Sequence, residues 1–199
     1  MRKLKNTLTI LIFILFVTNL HAQNLDNRLL QAINGPPASA DGFWHGVANS
    51  DYGFVMATPA SMLIVGLAKH DQVLKIKAFE TGGAVLLAEG SSVLLKNLIH
   101  RQRPFVAHPE LFYGKSSPTD YSFPSGHTST AFATATSLSL AFPKWYVIAP
   151  SFAYASAVGY SRMYLGVHYP SDVLAGAAVG IGSAFLSFKL QHFLARKIH

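Results

Sequence analysis

Apolar residues gather along the chain into long stretches parted by short polar segments, and nowhere does the pattern alternate with the period of two that a half-buried strand requires. Five stretches predict helices, at about 52–68, 76–99, 126–142, 145–160 and 172–190. Each is rich in Ala, Leu, Val, Ser and Gly, the mixture with which helices pack closely in a bilayer. Residues 23–50 mix polar and apolar positions around Gly35-Pro36-Pro37 and an aromatic patch at Phe43 and Trp44. That segment predicts a short helix and a loop laid against the rest, not a membrane span. The fold class that follows is an all-α, membrane-embedded bundle of about five core helices, with residues 23–199 forming one domain.

Ahead of the bundle, Arg2, Lys3 and Lys5 precede an apolar run from Leu8 to Val17 and a small residue at Ala22. This is the layout of a secretory signal peptide cleaved after Ala22, because the run is shorter than the ~20 residues of a spanning helix. An uncleaved first membrane helix is the alternative. Either one sends residue 23 onward out of the cytoplasm.

Composition narrows the chemistry. With 199 residues, 50% of them hydrophobic and 13% charged, the chain is too apolar for disorder and sized for one domain. Cysteine is absent, which excludes disulfides, thiolate metal sites and cysteine nucleophiles. The formal charge of +7 would suit a nucleic-acid partner only if the cations formed one solvated stripe interleaved with aromatics, and they do not. Without Arg2, Lys3 and Lys5, 13 basic side chains stand against 9 acidic ones. Threading five helices from an external residue 23 puts Lys69, Lys75, Lys77, Lys144, Lys189, Arg196 and Lys197 on the inner side, as the positive-inside rule asks. Seven Ser or Thr hydroxyls within 128–141 keep a soluble helical domain open as an alternative.

The same threading brings three polar clusters to the outer side: Lys96 to Pro104, Tyr121 to His127, and Ser161-Arg162 through His168 to Asp172. Lys96, Arg103 and Arg162 are cations that repel one another unless an anion sits among them. Arg grips phosphate oxygens in a bidentate way, and Lys adds a compact point charge. Ser125 and Gly126 stand at a helix N-terminus, where unpaired N–H groups and the dipole favour an anion. Taken singly, these residues could be membrane-edge cations and a plain helix cap. His168 and Asp172 are four apart, so a helical turn lets the carboxylate orient one ring nitrogen and free the other for attack, and His127 is the natural acid. A structural pair or half of a metal site is the alternative for His168 and Asp172, and the neighbouring cations disfavour a divalent ion.

Lys96, six residues, Arg103-Pro104, then Pro124-Ser125-Gly126-His127, then Ser161-Arg162, five residues, His168, three residues and Asp172 together resemble the complete three-part motif of the type 2 phosphatidic acid phosphatase family, which includes vanadium haloperoxidases. The resemblance extends from about residue 42 to 190. It implies that Lys96, Arg103, Ser125, Gly126 and Arg162 bind phosphate, that His168 is the nucleophile that becomes phosphohistidine, that Asp172 orients it and that His127 is the general acid. It implies no metal and no cofactor. The expected activity is hydrolysis of a lipid phosphate or pyrophosphate by a membrane enzyme whose site faces the periplasm or exterior, with no obligate protein partner evident. Alternatives are a soluble secreted acid phosphatase of the same family, a vanadate-dependent haloperoxidase, for which 199 residues leave little room, and a non-catalytic membrane scaffold. Outside the motif, Glu89 is expected to be a hydrogen-bonded structural residue. His100, Arg101 and His108 are expected either to touch a head group or to be solvated, and Phe105, Tyr164 and Tyr169 to pack, with a lining of the lipid entrance as their alternative, while the 105–123 loop is long enough to select substrates.

Overall fold

The computed structural model describes residues 24–198, with side chains described to residue 193. The signal peptide or first membrane helix expected at 1–22 lies outside the described residues. Seven helices and no strand occur among them: α1 (residues 24–33), α2 (Asp41–Ala68), α3 (Gln72–Ile99), the single turn α4 (Pro104–Ala107), α5 (Gly126–Ala141), α6 (Trp145–Tyr164) and α7 (Pro170–Ile198). Local chemistry sets their ends. Asp71 caps α3 by accepting the Leu74 N–H at 3.0 Å, and α3 stops where His100 turns left-handed (φ 54°) and its N–H returns to the Lys96 carbonyl. Pro104 then opens α4 at a position where its missing N–H costs nothing. Short connections make α2 and α3, α5 and α6, and α6 and α7 antiparallel, and the 100–125 segment brings the start of α5 back beside the end of α3, so the starts of α2, α5 and α7 meet the ends of α3 and α6 at one end of the bundle.

Several boundaries differ from expectation, α3 starting four residues earlier, α6 ending four later and α7 running eight past 190, but the largest shift is at the first long helix. The helix expected over 52–68 starts at Asp41, so residues 41–51 are its first three turns and not part of a loop. Gly42, Gly46 and the polar residues around them masked the helical pattern, but packing supplies what propensity lacks. Trp44 lies 4.7 Å from the Tyr160 ring and 5.7 Å from Tyr164, which fixes α2 against the end of α6.

Helix α5 is the innermost element, touching α2, α3, α6 and α7. Its hydroxyls are largely buried, and they bond back into their own helix: Ser129 Oγ donates to the Ser125 carbonyl and Thr134 Oγ1 to the Thr130 carbonyl, each at 2.9 Å. Six of the seven hydroxyls that kept a soluble domain open are therefore buried in protein, and Ser139 is partly so. Helix α7 presses onto α5 through Gly176 and Gly180, where a Cβ would stand 2.7 Å from the Ser125 carbonyl oxygen and closer still to that of Ser129. Large apolar side chains point outward instead, among them Leu86, Leu98, Leu174, Phe79 and Ile64. Three spans, Asp41–Ala68, Gln72–Ala107 and Pro170–Phe193, are long and apolar enough to cross a membrane. The molecule is a membrane-embedded helical bundle.

Candidate active site

The end where α2, α5 and α7 begin and α3 and α6 finish holds a cavity of about 150 Å³ lined by Lys96, Arg103, Gly126, His127, Arg162 and His168, together with Tyr52, Glu89, Pro118 and Asp120. Three segments distant in sequence thus deliver six of the eight expected residues to one wall. Ser125 and Asp172 are fully buried just behind it and are joined through the Ser125 N–H, which donates to the Asp172 carbonyl at 3.1 Å. Ser125 is not a side-chain cap of α5; its hydroxyl instead accepts from Thr128 Oγ1 at 2.8 Å. The start of α5 therefore offers the cavity its backbone end at Gly126 and His127.

His168 sits in the turn between α6 and α7, which Gly166 permits by taking φ 72° where a Cβ would strike the Tyr113 carbonyl. Its ring is buried, with Nε2 3.1 Å from Arg103 Nη1 and Nδ1 3.6 Å from Asp172 Oδ2. The second distance exceeds a hydrogen bond, and Nδ1 has no partner. Asp172 Oδ2 thus stands beside Nδ1 without a hydrogen bond to it, and accepts the Tyr169 N–H at 2.9 Å. Burial, followed by the charges of Arg103, Arg162 and Lys96, holds the His168 imidazole well below its ordinary pKa. In a neutral ring protonated at Nδ1, the Nε2 lone pair is directed at Arg103 Nη1 in the cavity wall, so a phosphate that draws this guanidinium onto its own oxygens frees the lone pair for attack.

The three cations are not equivalent. Arg103 also donates from Nη1 to the Val167 carbonyl and from Nε to the Asp120 carbonyl, both at 2.8 Å. Its Nη2 and Lys96 Nζ each hold one oxygen of the Asp120 carboxylate, at 2.5 and 2.7 Å. Arg162 is buried with Nε unpartnered. A buried guanidinium with an unmet donor beside a polar cavity is a place for an oxyanion. His127 packs its ring edge-on to Tyr52 at 4.9 Å.

The family model of the PAP2 superfamily matches residues 77–196. This chain belongs to that superfamily. The solved PAP2-like structure of Aquifex aeolicus LpxE shares 31% identity with it at a TM-score of 0.65, covering 81% of this chain and 93% of LpxE. Among curated relatives, the undecaprenyl-diphosphatase of Sulfolobus acidocaldarius is 39% identical over 108 residues, 54% of this chain and 50% of that protein. The lipid A 1-phosphatase of Rhizobium etli is 42% identical over 94 residues, 44% of this chain and 38% of that protein. The chain spans about half the length of the curated relatives it matches, or less.

Beyond the PAP2 motif, several residues around the site carry no signal of their own in the sequence. Asp120, in the long loop before α5, occupies the Lys96 and Arg103 side of the cavity, 17 positions from Arg103, with no local pattern that points to it. Glu89 is in the cavity wall and not in a structural hydrogen bond of the helix interior, because Gly126 opposite it has no side chain and leaves the space open. Arg101 neither faces solvent freely nor lines the cavity; it turns back to Asp172, with Nη1 2.6 Å from Oδ1. His100 packs on Tyr121 and His108 approaches Glu110 at 3.4 Å. Phe105, Tyr164 and Tyr169 pack in apolar clusters, as expected.

Proposed function

We propose that this PAP2 protein is a phosphatase that removes phosphate from a lipid phosphate or diphosphate at the outer face of the cell envelope, through a phosphohistidine and without a metal. The observation that carries the reading is His168 Nε2, buried and 3.1 Å from Arg103 Nη1 at a cavity walled by three cations. Nε2 attacks phosphorus, a P–N bond forms, the P–O bond to the lipid breaks, and His127 gives a proton to the departing oxygen. Burial and the charges of Arg162, Arg103 and Lys96 hold that imidazole down to about 3 before substrate binds, and the anionic phosphate, by offsetting those cations, lets it carry the proton. Water then attacks phosphorus, His127 takes a proton from it, and the P–N bond breaks to release phosphate. Lys96, Arg103, Arg162 and the backbone end of α5 stabilise the charge on the five-coordinate phosphorus. The same cations repel a divalent ion, so the charge compensation comes from the chain.

A lipid is favoured by what adjoins the cavity. One helical turn from Tyr52 and Glu89, an apolar groove of about 450 Å³ runs between α2 and α3 past Met56, Pro59, Gly82 and Leu86. A hydrocarbon chain lying in it would bring its phosphate to His168. The external orientation rests on the cations Lys69, Lys75, Lys77 and Lys144 at the opposite end of the bundle.

The test is phosphate release in EDTA from a panel of lipid phosphates, lipid diphosphates and one water-soluble phosphomonoester, comparing wild-type membranes with His168→Ala. Lipid-selective release that survives EDTA and vanishes in the variant is expected. Preference for the soluble ester would overturn the lipid assignment, dependence on added metal the metal-free one, and equal rates in both membranes the nucleophile.

A further inference from the structure

Asp172 has two oxygens with separate duties. Oδ2 takes the Tyr169 N–H and faces His168, whereas Oδ1 is held by Arg101 Nη1. Arg101 is itself fastened on every side: Nη1 also meets Ser171 Oγ at 2.7 Å, Nη2 meets Asp26 Oδ2 at 2.8 Å, and its guanidinium lies 4.0 Å over the Tyr169 ring. Asp26 comes from α1, is buried, and accepts in addition the Ser171 N–H at 3.0 Å and the Ser171 hydroxyl. Arg101 does not line the phosphate cavity and opens onto a separate recess beside Gln102 and His108.

From this geometry we infer that Arg101, braced by Asp26 of α1, is a positioning residue for the histidine chemistry, acting through Asp172. The inference rests on the proposed phosphohistidine reading. A carboxylate with no exposed surface must be paired to stay ionised, and Arg101 is the cation that pairs it. The planar fork sets the carboxylate's rotation, so Oδ2 stays aimed at His168 Nδ1 and Nε2 stays aimed at the cavity. Asp26 prevents that fork from swinging out into the recess. The N-terminal helix, which has no motif residue, thereby sets the reactivity of the nucleophile.

The experiment uses the full chain in nanodiscs, with the lipid phosphate that wild type hydrolyses and inorganic phosphate as the probe of the cavity. Loss of a partner that orients a ligand or nucleophile typically costs about 10- to 100-fold in activity. Arg101→Gln is expected to lower kcat in that range, while KM and the inhibition constant of phosphate stay within about threefold, since the cavity wall is untouched. Arg101→Lys and Asp26→Asn should each fall between wild type and Arg101→Gln. In an Asp172→Asn background, Arg101→Gln should cost nothing further, because the residue acts through the carboxylate already removed. Multiplying losses in the double variant, a phosphate constant that worsens in step with kcat, or unchanged kcat in Arg101→Gln would each overturn the inference. Should Arg101→Gln fail to fold, Arg101→Lys and Asp26→Asn decide it by the same kcat against KM split. Wild type lacking any activity that His168→Ala removes would instead sink the phosphohistidine reading itself.

Discussion

Two sides of one cavity treat their positive charge differently. On the α3 side, Lys96 and Arg103 are bound to Asp120, and the loop backbone folds over them, with Lys96 Nζ donating to the Tyr121 carbonyl at 2.5 Å and Ser122 tied to Arg101 and Gln102. On the α6 side, Arg162 is buried and its Nε meets nothing. An anion arriving at Arg162 gains a contact without losing one. At Lys96 and Arg103 it exchanges places with a carboxylate that keeps 55% of its side-chain surface exposed and so departs cheaply. The cavity therefore combines a fixed anchor with an exchangeable one, and substitution of each member should have a different cost.

Arg103 belongs to both sides, since the same guanidinium holds Asp120 and His168 Nε2. Arg103→Ala should therefore cause the largest loss of kcat/KM among the cations, about 4 kcal/mol or more of transition-state stabilisation, measured on membranes with a lipid phosphate. Arg103→Lys should recover only a small part, because an ammonium cannot span two partners as the fork does. Arg162→Ala follows, at about 2.7 to 4 kcal/mol, the range for one preorganised donor. Lys96→Ala should cost less than Arg162→Ala, as part of what is lost was spent on Asp120. If Lys96→Ala proves the costlier of the two, the anchor and the exchangeable side have been assigned the wrong way round.

The cavity wall is legible in the sequence and its surroundings are not, for a physical reason. Lys96, Arg103, Gly126, His127, Arg162 and His168 repeat a motif whose chemistry needs those residue types in that order, so their convergence follows from the amino-acid sequence alone. Asp120, Asp26 and Arg101 matter through pairing across distances of 17 to 75 positions, which no local pattern encodes. Helix positions are legible wherever the apolar stretches are continuous. The start of α2 is not, because Gly42, Gly46, Asp41 and Asp51 dilute its first turns, and what holds it helical is Trp44 on α6 and Asp41 paired to Lys115 at 2.8 Å. The hydroxyls of α5 are ambiguous for a related reason: a helix enclosed by four others needs small residues more than apolar ones.

A finer comparison is between wild type and Asp120→Asn. The amide keeps an acceptor but gives up the charge, so inorganic phosphate should inhibit the variant about two- to fivefold more tightly, the value of a half-exposed ion pair. A weaker inhibition constant would mean that Asp120 helps to shape the cavity and does not compete for it.

The smallest expected effect is a pH dependence that stays flat. Burial would raise the Asp120 pKa, but Lys96 and Arg103 outweigh it and hold the carboxyl at about 2. A depressed acid keeps its contact intact above its ordinary value near 3.8 and loses it only as pH falls toward the lowered one. The ratio of the phosphate inhibition constants of wild type and Asp120→Asn should accordingly be constant from about pH 8 to about pH 5, since ionisation of phosphate itself cancels in the ratio. Convergence of the two constants should begin only below about pH 4. A ratio that already drifts near pH 6 would show that a second titrating group shares the exchange and that Asp120 alone does not control it.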